Sequence, residues 1–376
     1  MIHIMKVAIV HELLTIRGGA ERVAKALWDL YPDADVYTLL YDKRTLGDWF
    51  PHERVRSSFL QPFAAATRLF NHHLYIPFFR RAVEAWDFSG YDLILSSSSA
   101  FIHGLRAPPG TAHVCYVHTP ARYLWDQSHE VQQRLAAPTR AVASRVFHHL
   151  RTWDAAIADR PTTLVAASQP VQRRIQLYWN REATLVHPFA DREWFTQPPK
   201  PHATPEQPFL VVANLQRYKQ LDRAVRACVR ANMPLTIVGD GPDRPRLESL
   251  AQGSANIHFV GRLEGDALRN HFLAARALLI PGVEDFGINA VEALACGTPV
   301  ITVRGGGTVD VIDDAVGATC DPSDDAFMDT LARTDLGIDP ATCRSRAERF
   351  TRGIFEQQMY SIIEATISAR AKAFRP

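Results

Sequence analysis

Two glutamates with seven residues between them, Glu284 and Glu292, stand in the stretch PGVEDFGINAVEALACGTPV at residues 281–300. The apolar run ALLI enters this stretch and PVITV leaves it, both rich in residues that buried parallel strands use. Between them NAVEALAC has helical spacing, and Gly297 followed by Pro299 stops the helix. The order strand, loop, helix, turn, strand puts Glu284 in the loop and Glu292 about one turn into the helix. In open α/β sheets, loops at the carboxyl ends of strands face helix N-termini, where anionic ligands settle. A plain surface loop with one buried helical glutamate fits the same spacing. Gly18 and Gly19 open another helix directly after a strand, and allow the close backbone approach that a phosphate cradle requires; a tight turn is the simpler alternative. His118 follows the strand VCYV and so lies at a strand's carboxyl end.

The elements that must position these residues fall into two similar halves. In the first, KVAIVHE runs into the amphipathic helix RGGAERVAKALWDLYP, and ADVYTLLY, YDLILSSS, HVCYVHT and TTLVAAS are further strands with helical patterns between several of them. In the second, FLVVANL, LTIVGDG, IHFVGR, ALLIPGV and PVITVRG alternate with helices such as LDRAVRACVRA. The stretch between the halves is rich in proline and polar residues and lacks a sustained period, as a linker does. This division predicts a first domain over 1–186, a linker over 187–207, a second domain over 208–350 and a terminal helix over 351–376.

Composition narrows the possible partners. A chain of 376 residues is too long for one ordinary core and suits two α/β domains. A formal charge of +2 gives no global pull toward nucleic acid. The five cysteines form no C-x-x-C pair, which fits reduced core thiols in the cytosol rather than disulfides or zinc sites. No apolar run reaches the eighteen or so residues of a membrane span, so the expected location is cytoplasmic.

GGAERV, CYVHTPARY, ANLQRYK, VGDGP, FVGRL, EDFGINAVEALACGTPV and RGGGTVDVI, in this order, resemble the retaining glycosyltransferases of family 4 over nearly the whole chain. RGGAERV, DADVYTLLYD, SFLQ, YDLILSSSSAF and CYVHTPARYLWD are similar to the branch of mannosyltransferases that build bacterial surface polysaccharides. The resemblance implies an α/β GT-B fold, with two Rossmann-like domains facing a central cleft and a C-terminal helix that can cross back to the first domain. It implies a sugar-nucleotide donor, GDP-mannose from the closer branch with UDP-sugars as the alternative. The acceptor would be an oligosaccharide or a polyprenyl-diphosphate-linked acceptor, the latter met on the inner face of the plasma membrane.

Carried across residue by residue, the resemblance gives Glu284 the donor sugar's hydroxyls and Glu292 the ribose hydroxyls. Backbone N–H groups of Phe286, Gly287, Ile288 and Asn289 would meet the diphosphate. Lys219 matches the family's lysine, while the arginine usual five residues earlier is replaced by Asn214, leaving Arg217 as the substitute in the loop. The backbone around Arg262 and Leu263 would hold the base, Gly18 and Gly19 the phosphate side, and His118 the sugar's hydroxymethyl group. No metal or other cofactor is implied, consistent with the absence of a D-x-D signature in the donor cleft. A sugar-nucleotide epimerase of the same fold and a non-catalytic nucleotide-binding subunit are the competing classes. A last expectation is that residues 57–86, with Phe59, Phe63, Phe70, Tyr75, Phe78 and Phe79 among Arg68, His72, His73, Arg80 and Arg81, seek an anionic membrane surface.

Overall fold

The computed structural model describes residues 5–63, 76–126, 128, 137–204, 206–333 and 337–373. The chain divides into two compact units, Met1–Val186 with Glu356–Pro376, and His187–Phe355. Each is built on one parallel sheet with helices between its strands.

The first unit holds β1 (Val7–Leu14), β2 (Asp35–Tyr41), β3 (Val55–Ser57), β4 (Leu93–Ser98), β5 (Ala112–Val117), β6 (Thr163–Ala166) and β7 (Thr184–Leu185), in the order β3-β2-β1-β4-β5-β6-β7. Buried on both faces, β1, β4 and β5 read as largely apolar runs, apart from polar residues toward the carboxyl ends of β1 and β4 and His113 near the start of β5. One face packs Ala8, Val10, Ile94 and Phe101 against Trp153 and Ile157; another cluster joins Cys115, Val117 and Leu164 to Ile175 and Trp179.

The second unit holds β8 (Phe209–Val212), β9 (Leu235–Val238), β10 (Ile257–Gly261), β11 (Leu278–Ile280), β12 (Val300–Val303) and β13 (Gly317–Cys320), in the order β10-β9-β8-β11-β12-β13. Period-two alternation sorts its strands between two cores. Leu210, Leu278, Ile280 and Val300 join Val291 and Leu294 on one face, while Phe209, Val211, Leu279 and Ile301 join Val225 and Phe327 on the other.

β3, β7 and β13 carry no apolar run that marks them in the sequence. All three are sheet-edge strands of two to four residues, paired on one side only. Helix Pro340–Ala347 is separated from helix Arg352–Ala373 by a short 3-10 turn at Glu348–Phe350. All five cysteines are unpaired and buried. Among the described residues no helix is long and apolar enough to cross a membrane.

Candidate functional site

In each sheet the strand order reverses once, and at such a switch point the two adjacent loops diverge and leave a crevice outside the carboxyl ends of the strands. The reversal lies between β8 and β11 in the second unit and between β1 and β4 in the first.

Beyond β8 the chain makes a short 3-10 turn, Arg217–Lys219, and enters helix Leu221–Arg230 through Gln220 at φ 51°. Beyond β11 the segment PGVEDFG leads to helix Ile288–Ala295, whose N-cap is Gly287 at φ 84°, a backbone shape that favours glycine. The two loops meet through Lys219 and Glu284. The ammonium donates to both carboxylate oxygens at 2.6 Å, with each side chain about one-fifth exposed. Burial, the largest influence, works to lower the Lys219 pKa, but Glu284, Tyr218 and Asp285 outweigh it, so the net shift is upward and Lys219 stays charged.

A third loop supports the second. The Gly307 N–H donates to the Glu284 carbonyl at 2.8 Å, and a Cβ on Gly306 or Gly307 would collide with the backbone at Glu284 or Asp285. This explains the glycines of RGGGTVDV as a close packing of loops. Asn289 donates its side-chain amide to the Val212 carbonyl at 2.9 Å and so ties the start of its helix to the end of β8. The first N–H groups of that helix have no acceptor within it. Glu292, the fifth residue of the helix, is 3% exposed. Phe286 is buried and packs on His187, whose Nε2 lies 3.1 Å from Asp310 Oδ2.

The remaining predicted residues of this unit lie nearby in the chain but not in this pair. Arg217 is 65% exposed on its side chain and lies 3.6 Å from Asp243, which Arg246 also engages. Asn214 is exposed beside Gly241. Arg262 pairs with Glu264 at 2.9 Å, while Leu263 packs on the core. The Gly239 N–H donates to the Gly261 carbonyl at 2.7 Å, joining the loop after β9 to the end of β10.

In the first unit, Gly18 caps helix Gly19–Leu30, and a Cβ there would come 2.5 Å from Glu21 Oε2. The structure thus places a carboxylate of the helix's own first turn beside Gly18. His118 is half-buried, with Nε2 2.8 Å from Ser97 Oγ. Burial, and secondly His11, push its pKa down to about 3, so it is neutral at physiological pH. Ser97 Oγ also lies 3.0 Å from His11 Nδ1. Alongside, the buried Glu12 carboxylate accepts from Ser98 Oγ and from the N–H groups of Ser99, Ala100, Phe101 and Ile102, at 2.6–3.2 Å. Sequence reading missed His11, Glu12, Ser97 and Glu21. Their signal was present, since VAIVHE and LILSSSS place polar residues where buried strands end at a switch point.

Among the described residues no group of three or more His, Cys, Asp or Glu is placed to hold a metal ion. The membrane expectation is only partly covered: residues 64–75, with Arg68, Phe70, His72, His73 and Tyr75, lie outside the described residues, as does the Phe63 side chain. Of the rest, Phe59 and Phe78 are exposed and Phe79 is buried. Arg80, Arg81, Glu84, Ala85 and Arg106 line a hollow of about 380 Å³.

Residues 193–334 match the family model described as glycosyl transferases group 1. Over 182 residues the chain is 34% identical to the GDP-mannose-dependent alpha-(1-6)-phosphatidylinositol dimannoside mannosyltransferase of Mycobacterium tuberculosis, covering 46% of this chain and 47% of that protein. The chain thus spans less than half the length of that curated relative. Among solved structures it resembles a sucrose-phosphate synthase from Thermosynechococcus elongatus, with TM-score 0.72 and 19% identity over 97% of this chain and 100% of the other. It also resembles Anabaena HepE, solved with UDP, with TM-score 0.67 and 16% identity over 96% of this chain and 100% of the other. Residues 193–334 thus match the glycosyl transferases group 1, and the chain that carries them has, over nearly its whole length, the two-sheet GT-B fold.

Proposed function

We propose that the protein is a retaining hexosyltransferase that moves mannose from GDP-mannose to a lipid-linked oligosaccharide in the making of a bacterial surface polysaccharide. The observation that carries the reading is the Lys219–Glu284 pair at the switch point of the second sheet, its Glu284 in the loop that leads to the helix with the buried Glu292. This puts a cation and two carboxylates beside a helix N-terminus, the set that a sugar diphosphate needs. The mannose donor is supported by the 34% identical relative, whose name specifies GDP-mannose.

In this reading Glu292 accepts from the ribose hydroxyls and Glu284 from the sugar's. The N–H groups of Phe286, Gly287, Ile288 and Asn289 meet the diphosphate, Lys219 and Arg217 offset the charge that grows on it, and the loop with Arg262 and Leu263 takes the base. Gly18, Gly19 and His118 belong to the first unit's share of the site. Attack comes from the face that the diphosphate leaves, with the leaving phosphate taking the acceptor's proton, so that catalysis is positioning and charge stabilisation. Lysine and arginine supply the positive charge, and no metal is called on. The acceptor's lipid would be met at an anionic membrane surface beside the exposed Phe78 and Arg81.

The test is nucleoside diphosphate release from GDP-mannose, UDP-glucose and ADP-glucose, with and without a lipid-linked oligosaccharide. Slow release from GDP-mannose that the acceptor accelerates, with the product keeping its anomeric configuration, is the expected result. Preference for a UDP-sugar overturns the donor, and no release from any of the three overturns the reading as a transferase.

A further inference from the structure

The switch point of the first sheet holds a hydrogen-bonded chain that crosses three neighbouring strands. His11 on β1 pairs in register with Ser97 on β4, and Ser97 pairs with Tyr116 on β5, two residues before His118. The His118 N–H is held by the Ser98 carbonyl at 2.8 Å. His11 and Ser97 are 2% and 0% exposed, so water does not compete for their hydrogen bonds.

The direction of each bond follows from what each atom can do. His11 Nδ1 lies 3.2 Å from the Ser97 carbonyl oxygen and 3.0 Å from Ser97 Oγ. A carbonyl oxygen only accepts, so Nδ1 carries a proton, whatever the charge on His11. Ser97 Oγ then accepts from this same N–H. Its own single proton is left to point at His118 Nε2, 2.8 Å away. A ring nitrogen that accepts has no proton, and a neutral imidazole with a bare Nε2 carries its proton on Nδ1. His118 is neutral because burial and His11 hold its pKa near 3. Glu21, 3.8 Å from His11 Nε2, is too far for a hydrogen bond and does not alter the sequence of donors.

We infer that Ser97 and His11 are positioning residues that lock His118 in its Nδ1–H tautomer, so that His118 offers a hydrogen-bond donor to a hydroxyl oxygen of the ligand. Its role toward a ligand rests on the reading that His118 lines the sugar site; the tautomer itself does not. A histidine in the other tautomer would present a lone pair there and could only accept from that hydroxyl.

Long-range proton–nitrogen correlation NMR on the full chain with labelled histidine, without sugar nucleotide, reads the tautomer directly, and a His118→Gln spectrum identifies the signal. The expected result is a pyrrole-type shift at Nδ1 and a pyridine-type shift at Nε2; the reverse assignment overturns the inference. Ser97→Ala should convert the single tautomer into a mixture, and an unchanged Nδ1–H form would show that Ser97 does not set it. In transfer assays Ser97→Ala should cost about tenfold in turnover, the scale of one hydrogen bond. The loss should vanish in a His118→Ala background, and two losses that simply add would remove the coupling. If the chain transfers no sugar at all, the NMR result still decides the tautomer, so failure of the functional reading and failure of this inference stay distinct.

Discussion

Lys219 and Glu284 hold each other across the ends of β8 and β11, the lysine reaching both carboxylate oxygens at 2.6 Å. The cation assigned to the leaving diphosphate and the carboxylate assigned to the sugar are therefore aligned by one interaction. Its strength lies between the ~1 kcal/mol of an exposed pair and the ~3–5 kcal/mol lost when one partner of a buried pair is removed. A phosphate oxygen brought to this ammonium competes with Glu284 for it, and a released carboxylate oxygen becomes available to a hydroxyl.

Replacing Lys219 by Ala should lower turnover about a hundredfold, the scale of one lost charge-stabilising group, with a much smaller fall in donor affinity. Steady-state kinetics and calorimetry with GDP-mannose separate the two. Equal losses in turnover and binding would mean that Lys219 serves the ground state alone. Arg217, exposed and turned toward Asp243, should cost less when replaced by Ala; full activity in that variant would remove it from the clamp.

Glu292→Gln keeps the size of a side chain that is almost fully buried. In the proposed role it would weaken two charge-assisted hydrogen bonds to ribose, each worth about 1.5–3 kcal/mol. Donor affinity should fall at least tenfold with little change in melting temperature. Unchanged nucleotide binding would exclude Glu292 from the site.

His113 is fully buried, and burial followed by the neighbouring His103 lowers its pKa from 6.5 to about 3. The unfolded chain binds a proton between these two values that the folded chain refuses. Stability is therefore present above about pH 6.5 and falls as the pH drops toward 3, at up to about 1.4 kcal/mol per unit from this residue. Urea midpoints from pH 7 to pH 4 should show a shallower slope for His113→Gln than for the wild type. Parallel slopes would assign the acid sensitivity to other groups.

Flotation with liposomes tests the membrane surface. Binding to anionic vesicles and not to neutral ones, lost at high salt and in an Arg80/Arg81 double Ala variant, is the expected pattern. Equal recovery in the soluble fraction with both vesicle types would leave Phe59 and Phe78 without that role.

Much of this architecture was legible because buried parallel strands must be apolar runs. FLVV, LTIV, ALLI and PVITV each mark a strand of the second sheet, and Gly297 with Pro299 closes the helix that carries Glu292. Of the edge strands, β10 is marked by IHFVG, whereas the short β3, β7 and β13 escaped notice because pairing on one side asks little of their side chains. The Lys219–Glu284 contact joins residues 65 positions apart, and only the sheet order brings them together. For the same reason the His11–Ser97–His118 chain was invisible: each member reads alone as a polar residue at the end of a strand, and the register of β1, β4 and β5 makes them neighbours.

The helix Arg352–Ala373 starts in the second unit and from Glu356 onward belongs to the first, where Thr366 Oγ1 meets Thr163 Oγ1 at 2.9 Å. The second unit is continuous in sequence, whereas the first is assembled from two separated pieces. During synthesis, then, the portion made first is completed last. While the second unit can close as soon as residue 355 has emerged, the first must wait, with the seam around Thr163 uncovered, until the segment that begins at Glu356 has been made.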